Sequence, residues 1–203
     1  MSRDRNLGYE RQGQEFYATP DWPTAVLLRQ PDVRLPNSIW EPCCGNGAMA
    51  RVLEAHGYHV VATDLMDRGY GEGGRDFMLE TRLPDGVTAI VTNPPYGRRL
   101  YKFVDHALEL TRPVGGMVAL LVNIQWQTGA TNSKRLLIPA FEASVILTKR
   151  IVWFPGEDGQ PRKQPQENHV WLVWDWSRAP GPARLLFAGK DAEGDPEAQC
   201  RAA

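Results

Sequence analysis

Apolar positions along this chain alternate between short β-branched runs and stretches at helical spacing, which predicts an α/β fold. Strands are expected at Ser38–Glu41, His59–Leu65, Ile90–Thr92 and Met117–Val122, with further β-rich stretches at Ser144–Phe154 and His169–Trp176. The Met117–Val122 run is apolar throughout, as in a central strand covered on both faces. Helical spacing joins Met49, Val52, Leu53 and His56, with Gly57 placed to end that helix. Leu100, Phe103, Val104, Ala107 and Leu108 form a second apolar helix face. A shorter helix follows Asp21 as its cap, with Pro23 in its first turn, Val26, Leu27 and Leu28 inward and Pro31 beyond its end. A polar loop from Asn123 to Lys134, carrying Trp126, leads into a short helix that ends near Pro139.

The polar stretches mark the boundaries. Residues 1–15 have almost no apolar side chains and read as a mobile segment. Arg68 to Arg75 carries four glycines and reads as a flexible loop. Pro155 to Asn168, punctuated by proline and glycine, reads as the long tip of a hairpin between the last two β-rich stretches. One domain is expected over residues 16–187. Past Pro180-Gly181-Pro182 the chain thins into a tail expected to be disordered, with 188–203 outside the domain.

Composition narrows the function only by exclusion. At 203 residues, 42% hydrophobic and 23% charged, the chain is long enough for a single substantial core. A net charge of -1 gives no bulk attraction to nucleic acid, so any such contact must come from local clusters. Cys43, Cys44, Cys200 and four histidines show no metal-binding spacing, so no metal is expected and a reduced, cytoplasmic setting is the simplest reading. No leader-like or long apolar span is present, which points away from membranes.

The chemistry-bearing stretch is Asn93-Pro94-Pro95-Tyr96, directly after the Ile90–Thr92 strand. Two prolines cannot continue a sheet ladder, so they fix a rigid exit beyond the strand's carboxyl end, where open α/β sheets bind ligands. The tetrapeptide resembles the catalytic motif of amino-methyltransferases, which methylate a conjugated nitrogen with S-adenosylmethionine. A plain Asn-Pro turn closing a strand is the structural alternative.

Other stretches bear on that resemblance. After Ser38–Glu41 comes Pro42-Cys43-Cys44-Gly45-Asn46-Gly47, a strand–Gly-x-Gly–helix context in which the glycines permit a sharp turn and close approach to a ligand. It resembles the first motif of class I methyltransferases, with Glu41 the acid that meets the cofactor's amino group. Ala50 stands where a dinucleotide fingerprint has its third glycine, which argues against NAD and suits a cofactor without phosphate. Asp64, about 20 residues past the turn, has the spacing of an acid that takes ribose hydroxyls, with Leu65 beside it; a strand-end cap is the structural alternative. Asp76-Phe77 resembles the motif that meets the adenine amine and ring. Tyr17-Ala18-Thr19-Pro20 resembles the amino-terminal motif of DNA adenine methyltransferases, which touches the methionine part of the cofactor. Pro42-Cys43 invites comparison with the nucleophilic cysteine of cytosine carbon-5 methyltransferases, although a small packing residue is the alternative.

The order of motifs resembles the small DNA adenine methyltransferases of phages and prophages. That resemblance implies a Rossmann-like class I methyltransferase fold: a mostly parallel seven-stranded sheet with one antiparallel strand and helices on both faces. It implies S-adenosylmethionine as cofactor, held by Tyr17, Thr19, Pro20, Glu41, Pro42, Gly45, Gly47, Asp64, Leu65, Asp76, Phe77 and Asn93. It implies catalysis by Asn93, Pro94, Pro95 and Tyr96 on adenine N6 of DNA, in the cytoplasm of a bacterial host. Phosphate contacts are then expected from Arg98-Arg99, Lys134-Arg135 and Arg162-Lys163, with the hairpin tip in the place of a separate recognition domain. RNA amine methylation, protein glutamine methylation and a non-catalytic cofactor-binding module remain open on the same residues.

Overall fold

A computed structural model of the chain describes residues 18–97, 100–153, 167–179 and 181–189. The segment 1–15, Tyr17, Arg98, Arg99, the hairpin tip with Arg162 and Lys163, and residues 190–203 lie outside the described residues.

Seven strands among the described residues form one sheet: β1 (Ser38–Glu41), β2 (His59–Ala62), β3 (Ala89–Thr92), β4 (Met117–Asn123), β5 (Phe141–Leu147), β6 (His169–Asp175) and β7 (Arg184–Ala188). Their order is β2-β1-β3-β4-β6-β5-β7. Strands β1, β2, β3 and β4 are parallel, β5 and β7 are parallel, and β6 runs antiparallel to both of its neighbours. The sheet is therefore mostly parallel with one reversed strand, as the resemblance to class I methyltransferases implies.

Period-two alternation sends side chains of the inner strands to two cores. On one face Ile39, Ala89, Val91, Ala119, Leu121, Trp171 and Val173 pack with Val26 and Leu27 of α1 (Asp21–Leu28) and Met49 and Leu53 of α2 (Ala48–Ala55). On the other, Trp40, Ile90, Val118, Leu120 and Leu172 meet Leu100, Phe103, Val104 and Ala107 of α3 (Leu100–Thr111). A one-turn helix α4 (Ile124–Gln127) follows β4 and is capped by Asn123, whose side chain accepts from the Gln125 amide. Buried indoles find acceptors: Trp171 donates to the Pro23 carbonyl at 2.9 Å, Trp40 to the Thr63 hydroxyl at 2.9 Å and Trp174 to the Arg135 carbonyl at 2.8 Å. The Trp171 bond fastens α1 across 148 positions of sequence.

Four expectations are corrected. Arg184–Ala188 is no tail but the edge strand β7, because β5 offers it a parallel partner and Leu186 reaches the α1-side core. The Arg68–Arg75 stretch is not a loose loop. Glu72 donates its amide to the Ala62 carbonyl at 2.9 Å and accepts from the Asp64 amide at 3.0 Å, while Arg75 pairs with Glu72 and Glu80. Its Gly71 is required by close approach, since a Cβ there would strike the Ala62 carbonyl. Pro20, not Asp21, holds the cap position of α1, and no side chain caps it. His56 lies exposed past the end of α2, whose buried residues are Met49, Ala50 and Leu53.

Candidate active site

Because β1, β2 and β3 are adjacent and parallel, their carboxyl ends open on one edge of the sheet. The segments leaving them line a cleft of about 390 Å³, within the usual range for a small-ligand site. Glu41 enters from β1, Asp64 follows β2, and Asn93 follows β3.

Glu41 is only 2% exposed, and its Oε2 has no hydrogen-bond partner. Burial holds its carboxyl well above its ordinary value, the backbone N–H of Ala50 opposes the shift, and the nearby Asp64 and Glu54 add to it. A buried carboxyl with a bare oxygen facing a cleft fits a cationic group. Asp64 is already tied down: its Oδ2 accepts from the Gly45 amide at 2.8 Å and its Oδ1 from the Met66 amide at 2.8 Å. A carboxylate has about four acceptor sites, so each oxygen keeps capacity for a hydroxyl.

Asp76 caps the single turn Phe77–Leu79 by accepting from the Met78 amide at 2.9 Å. Phe77 borders the cleft but is wedged in the core, its ring 5.2 Å from Trp40 and 4.3 Å from Phe103 between centroids. The amides at the start of α2 are engaged internally, with Ala48 donating to Asn46 Oδ1 at 3.3 Å and Ala50 donating to Glu41.

On the same cleft, after β3, Asn93 Nδ2 donates to the Thr19 hydroxyl at 3.2 Å, and Oδ1 is buried without a partner. Pro94 is buried and Pro95 exposed. Tyr96 donates its hydroxyl to the Leu121 carbonyl at 3.3 Å, and its ring lies 6.1 Å from His169 and 6.5 Å from Trp153. The His169 imidazole is 1% exposed and burial lowers its pKa to about 4, so it is neutral beside the tetrapeptide. Burial, with Asp64 and Glu41 nearby, pushes the Cys43 thiol well above its ordinary range. It is held as the thiol and is not an activated nucleophile.

No family model matches the chain, and no curated protein matches it. Solved structures do. A Listeria monocytogenes protein assigned as a class I S-adenosylmethionine-dependent methyltransferase superposes with a TM-score of 0.61 at 16% identity, over 91% of this chain and 69% of that one. The methyltransferase subunit of a type I restriction-modification system from Streptococcus thermophilus gives 0.59 at 12% identity, over 88% of this chain and 48% of its own. The 23S rRNA methyltransferase ErmE gives 0.57 at 17% identity, over 81% and 71%. The fold is that of the class I methyltransferases.

Within this methyltransferase fold the structure brings together Thr19, Glu41, Pro42, Asp64, Leu65, Asp76, Phe77 and Asn93 to Tyr96 on one cleft. Pro20, Gly45 and Gly47 are not among the residues that line it. The chain spans about half the length of the restriction-modification subunit. Sequence reasoning missed Met66 and Met78, which line the cleft at 39% and 42% exposure beside Leu65 at 56%. In the sequence they flank the glycine-rich stretch, Met66 beside Leu65 and Met78 beside Phe77. Of the expected phosphate contacts, Lys134 is exposed. Arg135 is instead clamped by Asp105, with Nε to Oδ1 at 2.6 Å, and stacks 5.5 Å over Tyr101. Lys149 and Arg150, exposed just past the carboxyl end of β5, were not anticipated.

Proposed function

We propose that this chain transfers a methyl group from S-adenosylmethionine to an exocyclic amine, with adenine N6 of DNA as the acceptor. The observation that carries the reading is the Asn93 Oδ1: buried, unpartnered, fixed by Thr19 and two prolines, and placed on the same cleft as Glu41 and Asp64.

The residues fit the cofactor. Glu41 would hold its amino group, Asp64 its ribose hydroxyls, and Leu65, Met66 and Met78 the flat faces of its adenine. A pyrophosphate fits poorly, because the Ala48 and Ala50 amides that would meet it are engaged. When bound, the cofactor supplies a methyl group carried on a sulfonium.

An exocyclic adenine amine is a weak nucleophile, since its lone pair is delocalised into the ring. Asn93 Oδ1 and the Pro94 carbonyl accept its two hydrogens, which favours a pyramidal nitrogen and aims the lone pair. Asn93 is neutral, so it orients the amine and stabilises positive charge growing on nitrogen without taking a proton. Tyr96 presents its ring to the base while the Leu121 carbonyl anchors its hydroxyl. In duplex DNA the base must first leave the stack, at a cost of a few kcal/mol. We assign this work to the cytoplasm of a bacterial cell, a reading that the resemblance to phage and prophage enzymes supports.

Mass analysis of nucleosides from cells expressing the protein tests the reading. N6-methyladenine in DNA, absent with Asn93→Ala, is the expected result. Methylated amines in RNA alone transfer the assignment to RNA, and no new methylated nucleoside in either pool removes it.

A further inference from the structure

We infer that Tyr70 is a positioning residue for the cofactor wall of the cleft: seated on the bare Cα of Gly47, its ring ties the Asp64–Asp76 segment to helix α2. The inference rests on the proposed cofactor reading for its binding consequence, but its geometry stands alone.

Gly47 has φ +80°, and a Cβ built on it would stand only 2.3 Å from Tyr70 Cγ, a severe clash with the ring. The Tyr70 hydroxyl donates to Glu54 Oε1 at 2.8 Å, and the Arg51 guanidinium lies 4.6 Å from the ring centroid. Both partners belong to α2. The Cys44 thiol donates to the Tyr70 carbonyl at 3.4 Å, which adds a tie to the glycine turn. Burial and the Glu54 bond push the phenol up to about 12, so it remains a donor at neutral pH.

Tyr70 itself does not border the cleft, yet the segment that carries it supplies cleft residues on either side. Asp64, Leu65, Met66 and Arg68 precede it, and Arg75 and Asp76 follow. Backbone bonds from Glu72 and Arg75 hold this segment to β2 and to Asp64. Tyr70 supplies the second attachment, to α2. The second glycine of the Gly-x-Gly turn is therefore required by a protein side chain. The Gly-x-Gly pattern by itself would assign that glycine to close approach of a ligand.

A double-mutant cycle decides between the two explanations of Gly47. Unfolding in urea is measured for wild type, Gly47→Ala, Tyr70→Ala and the double variant. The expected result is that Gly47→Ala lowers the folding constant about tenfold more in the wild type than beside Tyr70→Ala, where only the left-handed backbone strain remains. Equal losses in both backgrounds overturn the inference. Amide exchange of residues 65–75 should quicken in Tyr70→Ala while β1 and β3 stay protected; unchanged exchange in that segment also overturns it.

The binding consequence is read by calorimetry with S-adenosylhomocysteine and by kinetics. Tyr70→Ala should weaken binding about tenfold and raise the cofactor KM with kcat retained, while Tyr70→Phe keeps the ring and rescues binding to within about threefold. Wild-type affinity in Tyr70→Ala overturns the positioning role. If wild type binds no cofactor analogue, the function reading fails instead, and the urea cycle and exchange still decide the clamp.

Discussion

Asn93 and Thr19 meet across 74 positions of sequence, the Asn93 amide nitrogen donating to the Thr19 hydroxyl at 3.2 Å. Thr19 is 6% exposed, so this bond is shielded from competing water. It fixes the rotation of the amide and leaves Oδ1 as the face presented to the cleft. The bond thus joins the segment that carries Thr19 to the Asn93–Tyr96 tetrapeptide.

Asn93→Ala should abolish methyl transfer and leave cofactor affinity nearly intact. Thr19→Val, which removes the acceptor for Nδ2, should lower kcat by about 10- to 100-fold through misorientation of an intact amide. Thr19→Ser should restore it. Single-turnover kinetics measure both, and a Thr19→Val enzyme with wild-type kcat would show that Asn93 needs no such support. Asn93→Asp keeps an acceptor at the same place and should retain part of the activity.

Asp64 both holds the glycine turn and faces the cleft. Asp64→Ala should therefore weaken cofactor binding by about 1.5–3 kcal/mol and lower stability by about 1–2 kcal/mol, because the Gly45 and Met66 amides lose their acceptor. Calorimetry and urea unfolding report the two losses separately. Unchanged affinity in a folded variant would remove Asp64 from the cofactor site.

If Glu41 holds the cofactor's amino group as proposed, cofactor binding should have a pH dependence of definite sign. Its carboxyl is raised by burial, so the folded protein keeps the proton above the ordinary value of 4.5. The stability it contributes is present below that value and is lost as pH rises through the raised one. A cationic amino group needs the carboxylate, so affinity should climb with pH over that interval, with release of a proton. Glu41→Gln should flatten the affinity profile, weaken binding, and raise the stability of the cofactor-free protein at neutral pH. Calorimetry in buffers of different ionisation enthalpy counts the proton.

His169 acts in the opposite sense. Its imidazole is lowered from 6.5 to about 4 by burial, so its neutral form contributes stability that is full above pH 6.5 and lost as pH falls toward 4. The loss should be on the order of 2–3 kcal/mol. His169→Leu should remove that part of the acid transition in urea unfolding measured from pH 7 to 4, and an unchanged transition would show that the imidazole is not held neutral.

The sequence by itself determined the layered α/β architecture, the Gly-x-Gly turn, and Asn93 to Tyr96 at the end of a strand. Each depends on local signals: β-branched runs, helical spacing, and the fixed backbone of proline and glycine. Tertiary structure decided what no local window contains. Arg184–Ala188 became a strand because β5 had an open edge to offer. The glycine-rich stretch after Asp64 became an ordered wall because Glu72 and Tyr70 find partners on β2 and α2. Arg135 was drawn to Asp105, 30 positions away, which an exposed Lys-Arg pair in the sequence does not reveal. Likewise Asn93 is oriented by Thr19, and Glu41 is raised by its burial. Local propensity sets which elements form, whereas hydrogen-bond partners and desolvation depend on which residues the folded sheet brings together.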